Sequence, residues 1–313
     1  MKKFIALFMA VCLACALVAC GKKSDVKPAT DGSSAVQNVP ATEAVQSTPV
    51  NDDITAGTYP SFAVEEQKVY ESDNVRITVL SGEDSYGYIT LKMKYENLTD
   101  KDLTFVADSG STLINGLSVD ANVYESVAAG KYSEDEVSIA DSILNMSGIT
   151  EIHSLVFNIR AEDSKSFKTV EKMDNLNVAV KAAKSDYQQI FNVGSQIVYD
   201  KNDVVISYIG KDSVTEVYGQ QTPCLKFSIE NNSDKTLYFN TDEAYVDNGK
   251  VTLAPNNTVS MPHSKGIVCF SSIDETSVKF DSNVEIRFTV QLVREGVEES
   301  DSGFVDDRFE FKI

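Results

Sequence analysis

A duplicated segment limits the folds open to this chain more than any other feature. Tyr95-Glu96-Asn97-Leu98-Thr99-Asp100-Lys101-Asp102-Leu103-Thr104-Phe105 aligns with Ile229-Glu230-Asn231-Asn232-Ser233-Asp234-Lys235-Thr236-Leu237-Tyr238-Phe239, with Glu, Asn, Asp, Lys, Leu and Phe at identical spacing. Upstream, Ser72-Asp73-Asn74-Val75-Arg76-Ile77 answers Lys201-Asn202-Asp203-Val204-Val205-Ile206. Downstream, Asn115-Gly116 answers Asn248-Gly249, and Leu155-Val156-Phe157-Asn158-Ile159 answers Ile286-Arg287-Phe288-Thr289-Val290. Landmarks recurring in one order, about 130 residues apart, mark a tandem duplication. Its seam falls near Asp186 to Val193.

Each copy reads as strands. Val75, Ile77 and Val79 alternate with polar residues, as do Ile89, Leu91, Met93 and Tyr95, then Leu103 and Phe105. Val204, Ile206 and Tyr208 do the same in the second copy, followed by Leu225, Phe227 and Ile229, then Ile286, Phe288, Val290 and Leu292. A period of two places one face in a core and the other in water. Asn-Gly between such runs predicts a tight hairpin, because both central residues of a type I′ turn need positive φ. The polar Glu-Asn-x-(Ser/Thr)-Asp-Lys signature predicts a loop joining two strands. In the first copy alone, Ser138 to Gly148 carries Ile139, Ile143 and Met146 at helical spacing, which predicts a short helix across one end. The fold class expected is all-β, with two tandem Ig-like β-sandwich domains at 59–187 and 188–313. The chain has no tryptophan, so the antibody-type core is excluded.

The N-terminal residues read differently. Lys2 and Lys3 precede an uncharged apolar run from Phe4 to Val18, which is short for a membrane-spanning helix. Leu17-Val18-Ala19-Cys20 follows and resembles the lipobox of bacterial lipoproteins. The resemblance implies a signal peptide at 1–19, acylation of the Cys20 thiol and cleavage before it. From residue 20 to 58 the composition turns to Ser, Thr, Ala, Val, Pro, Asn and Asp, and the first aromatic residue after the lipobox is Tyr59. Such a stretch buries too little apolar area to offset its ordering entropy and reads as a disordered tether, with a mean span of roughly 30–37 Å. The expected location is the extracytoplasmic face of the cell membrane, through the lipid anchor.

Lipobox, low-complexity tether, tandem strand-rich copies and the Glu-Asn-x-(Ser/Thr)-Asp-Lys signature together resemble Gram-positive-type lipoproteins with tandem Ig-like domains of unknown function. That resemblance implies a fold and an anchorage, and it carries over no catalytic residue.

The residues that bear chemistry are sparse. His153 and His263 lie in different copies at non-equivalent positions, and neither has a second His or Cys at ligand spacing. Nucleophile-elbow, zinc-protease, phosphate-loop and dinucleotide fingerprints are missing. The expectation is therefore a non-enzyme with no metal and no cofactor. Cys224 and Cys269 sit on expected strands, Cys224 in the place of Thr90; the pair reads either as a disulfide or as two partly buried free thiols. Carboxylates gather at Glu134-Asp135-Glu136, at Asp242, Glu243 and Asp247, and at Glu298, Glu299, Asp301, Asp306 and Asp307. None fits a calcium-loop pattern, so they read as solvated surface, with a weak calcium site as the sharper alternative.

Tyr86 and Tyr88 in one copy and Tyr218 in the other occupy comparable hairpins and are candidate ligand-contact positions. The formal charge of −19, which becomes −21 without Lys2 and Lys3, opposes nucleic-acid binding. The leading functional expectation is a binding or scaffold module of the cell envelope, whose partners are the membrane, through the anchor, and an envelope protein or glycan. An accessory lipoprotein subunit supporting transport or envelope assembly is the alternative.

Overall fold

In the computed structural model, residues 59, 62–107, 110–215, 221–257, 259–273, 280, 283–293 and 304–313 are described. The expected signal peptide, Cys20, the expected tether, Tyr218, Glu298, Glu299 and Asp301 lie outside the described residues.

Alternation becomes pairing as the sequence predicts. In the first copy Val75–Ser85 pairs with Tyr88–Asn97, which pairs with Tyr132–Ala140, all antiparallel. Gln67–Glu71 and Ala63–Val64 lie along the other edge of Val75–Ser85. A second layer centres on Leu155–Asp163, with Thr169–Val178 on one edge and Leu103–Ala107 and Thr112–Ile114 on the other. The second copy repeats this plan. Val204–Thr215, Gln221–Asn231 and Ser264–Ser272 form one layer with Gln196–Lys201, and Val284–Val293 lies between Leu237–Val246 and Phe304–Lys312 in the other. The protein is an all-β sandwich fold.

Each copy has its own core. Ile77, Ile89, Leu91, Met93 and Tyr95 bury with Phe105, Phe157 and Ile159 in the first. Phe227, Phe239, Phe270 and Phe288 bury in the second, where Phe309 packs against them and Phe311 is also buried. At about 1.5–3 kcal/mol for each large apolar side chain removed from water, either set outweighs any single polar interaction nearby.

Three expectations need correction. Strand pairing equates Phe157 with Ile286, Ile159 with Phe288 and Ala161 with Val290, two positions from the sequence alignment. A slip of two keeps every side chain on its face, so alternation cannot detect it. The second hairpin turns at Asp247 and Asn248, with φ of 49° and 66°, and Gly249 already begins the next strand. Asp and Asn both tolerate this left-handed region, so glycine is not required there. Its counterpart does turn at Asn115 and Gly116, with φ of 51° and 81°. The helix spans only Asp141–Met146, because Ile139 is held in the preceding strand opposite Ile89.

The copies are joined through a sheet. Leu117–Val119 of the first pairs in parallel with Ser264–Ser272 of the second, Lys265 opposite Leu117 and Gly266 opposite Ser118. Ser118 Oγ lies 3.0 Å from Ser264 Oγ, and Asn257 Nδ2 donates to the carbonyls of Ser118 at 2.7 Å and Ile267 at 3.0 Å. Gly110, at φ +71°, abuts the Val259 carbonyl so closely that a β-carbon would overlap it. Beside this polar seam, Met146 and Ile143 of the helix and Phe191 cover Val214, Cys224, Ile267 and Cys269.

Candidate functional site

The repeated signature is a side-chain-built turn. Asn97 is 1% exposed and Asn231 0%, although both belong to polar segments. Asn97 Nδ2 donates to the carbonyls of Lys101 at 2.7 Å and Val127 at 2.9 Å. Its Oδ1 accepts from the Thr99 hydroxyl at 2.7 Å and the Thr99 N–H at 3.0 Å. In the second copy Asn231 Nδ2 reaches the carbonyls of Lys235, Ser260 and Met261 at 2.8, 3.1 and 3.0 Å. There Oδ1 accepts from the Ser233 hydroxyl at 2.6 Å and its N–H at 3.1 Å. The Asn and the Ser/Thr two residues later thus recur to satisfy buried backbone groups, an architectural task.

A cleft of about 390 Å³ opens where the first copy ends, lined by Asn115, His153, Lys184, Tyr187 and Gln189 among others. Asn115 organises it from the hairpin. Its Oδ1 accepts the N–H groups of His153 at 2.8 Å and Ser154 at 3.1 Å, and its Nδ2 donates to Glu151 O at 2.7 Å and Gln189 Oε1 at 3.1 Å. His153 Nδ1 accepts the Lys184 N–H at 3.1 Å, so the ring proton sits on Nε2, 2.9 Å from Glu151 Oε2. Tyr187 packs on the imidazole with ring centroids 4.0 Å apart. The Lys184 ammonium, 2.6 Å from Glu151, and then His153 hold the Glu151 carboxyl below its usual range; the same contact raises Lys184. With both ring nitrogens committed, His153 pins the chain leaving the first sandwich and has no free lone pair to act as a base.

The other expected positions divide. Tyr86 is 67% exposed at the tip of a two-residue turn with Gly87, at φ 54° and 82°, whereas Tyr88 is half-buried at the start of the next strand. They do not line the cleft. His263 is exposed and bonds Asp234 at 2.7 Å. Cys224 and Cys269 are buried free thiols in contact with each other. They occupy neighbouring strands, Cys269 opposite Lys226 and Cys224 opposite Ser271, on the face covered by Met146. Among the described residues, no three His, Cys, Asp or Glu side chains converge as a metal-binding group. The Asn115 junction escaped the sequence reading. Its turn chemistry was visible, but its partners lie about 36 to 74 residues away.

No family model matches the chain. No curated protein matches it either. Among solved structures, a conserved domain protein from Bacillus anthracis is similar over 85% of this chain and 98% of its own, at 11% identity and a TM-score of 0.25.

Proposed function

We propose that this chain is a lipid-anchored, extracytoplasmic, non-enzymatic module of the cell envelope that binds or positions an envelope protein or glycan. The anchorage rests on Leu17-Val18-Ala19-Cys20 and the low-complexity stretch after it. The binding role rests chiefly on one observation. The cleft at the end of the first copy offers the Tyr187 ring and the Lys184 ammonium, while the amides of Asn115 and Gln189 and its only imidazole are committed within the protein. That arrangement suits recognition of a polar ligand better than proton transfer.

The anchorage is tested by labelling cells with an alkyne-bearing fatty acid. The wild-type chain should carry the label and sediment with membranes, and Cys20→Ala should lose both properties. Retention of label by Cys20→Ala would discard the anchor. For the cleft, Tyr187→Ala should reduce co-sedimentation with isolated cell-wall material or crosslinking to an envelope protein. Unchanged retention would move the contact surface elsewhere.

A further inference from the structure

One end of the first sandwich holds two carboxylates in the wrong surroundings for a surface acid. Asp84 stands opposite Ile89, and Ile89 opposite Ile139, both fully buried, so Asp84 lies on the inward face of its strand. Asp141 follows Ile139 by two residues, begins the short helix and is only 6% exposed. Asp84 Oδ2 accepts the Tyr59 N–H. Asp84 Oδ1 and both oxygens of Asp141 are buried without any hydrogen-bond partner. The Tyr59 hydroxyl closes the same end, bonding Ile149 O at 2.7 Å with Asn145 Oδ1 at 3.2 Å.

Burial pushes the Asp84 carboxyl above its ordinary range, the Tyr59 N–H pulls it back, and the Asp141 charge adds to the rise. Tyr59 is raised as well, by burial and then by Asp141 and Asp84. Asp84 and Asp141 flank one turn: Asp84 lies two residues before Tyr86-Gly87, and the Asp141 N–H donates to Gly87 O at 3.0 Å. Carboxylate oxygens shut away from water without a partner need a compensating charge or a proton.

We propose that Asp84 and Asp141 bind one divalent cation of the calcium type, with coordination completed by water and neighbouring amide or carbonyl oxygen. Every donor atom on offer is oxygen, which selects a hard cation over zinc or copper. Calcium accepts irregular sets of six to eight oxygens, whereas magnesium demands a near-ideal octahedron. Two carboxylates place the site among weak extracellular ones, with a dissociation constant on the order of 10⁻⁴–10⁻³ M.

The test uses the full chain stripped with EDTA, with calcium-45 equilibrium dialysis and thermal melting across millimolar calcium chloride. About one calcium should bind per chain, and the melting temperature should rise as the site fills. Asp141→Asn should weaken binding at least about tenfold, remove the calcium-dependent rise, and leave the calcium-free melting temperature equal to or above wild type, because a buried charge is gone. Glu136→Gln, on an exposed strand, should bind as wild type does. Should Asp141→Asn not fold, Asp84→Asn serves instead, since its amide oxygen still accepts the Tyr59 N–H. The proposal fails if wild type binds no calcium, if both variants bind undiminished, or if acid stabilises the calcium-free protein while calcium adds nothing, which would assign the pair a shared proton.

Discussion

The two copies share a strand plan and differ in what their outer faces meet. On the layer built from Tyr88–Asn97 and Tyr132–Ala140, the first copy turns Thr90, Glu134 and Glu136 outward. Strand pairing sets these against Cys224, Ile267 and Cys269 of the second copy, all buried. Glu134 meets water and pairs with Lys92 at 2.8 Å; Ile267 lies beneath the helix that, among the described residues, the first copy alone possesses. The cores differ too. Met93 stands where the second copy has Phe227, whose ring meets Tyr208, Phe239, Phe270, Phe288 and Phe311 at centroid distances of 5.3–5.8 Å. A duplicated sheet face can serve as solvent surface once and as a joint once, with a few side chains deciding which.

The largest expected effect tests the cores. Phe227→Ala should cost about 3–5 kcal/mol by chemical denaturation. Met93→Ala should cost less, because a thioether chain removes fewer ring contacts than a phenyl group set among five others, although it takes the sulfur acceptor from the Tyr95 hydroxyl. Equal losses would make the aromatic cluster no more than filler. Next comes the joint. Ile267→Glu, which gives the second copy the residue of the first, buries an unpaired charge and should cost about 3 kcal/mol or more. It should also split thermal unfolding into two transitions. The reciprocal Glu134→Ile should leave stability within about 0.5 kcal/mol and raise the tendency to self-associate. If Ile267→Glu still melts in one step, the polar seam around Ser118 and Asn257 holds the copies together by itself.

The signature turns give a smaller contrast. Asn231→Ala removes a donor from three carbonyls, of which Lys235 and Met261 keep the Ser233 and Ser264 hydroxyls, and should cost about 1–2 kcal/mol. Asn97→Ala removes a donor from two, of which Lys101 keeps the Thr99 hydroxyl, and should cost less. A reversed order would show that solvent reaches the second turn once its asparagine is gone.

These contrasts also mark how far the sequence could be read. Val75, Ile77 and Val79, or Leu225, Phe227 and Ile229, alternate because each strand buries one face, and period two records that directly. The joint left a fainter trace. Gly266-Ile267-Val268-Cys269-Phe270 breaks alternation into a continuous apolar run, as a strand buried on both faces should. What covers the second face comes from residues about 120 positions earlier, which no local pattern can supply. The polar signature misled in the opposite direction. Asn97 looks like loop surface, and its burial follows from backbone carbonyls brought to it by Val123–Val127. The unpartnered oxygens of Asp84 and Asp141 were equally invisible, because one residue ends a strand's inward face and the other opens a helix.

The smallest predicted effect returns to the hairpins, where the copies reach one backbone shape with different residues. Gly116 at φ +81° pays no steric cost, while Asn248 at φ +66° relies on asparagine's tolerance of that region. Gly116→Ala should therefore lose about 1 kcal/mol to the clash between its β-carbon and carbonyl, partly offset by a stiffer unfolded chain. Asn248→Ala should lose a similar amount for the same backbone reason. The consequences should still diverge. Leu117, the residue after Gly116, is one of those paired across to the second copy, whereas the turn at Asn248 lies at the far end of its own hairpin. Hydrogen exchange should therefore show Gly116→Ala loosening the amides around Lys265 and Gly266, and Asn248→Ala leaving them protected. Loosening by both variants, or by neither, would mean that the joint does not depend on how the first hairpin is held.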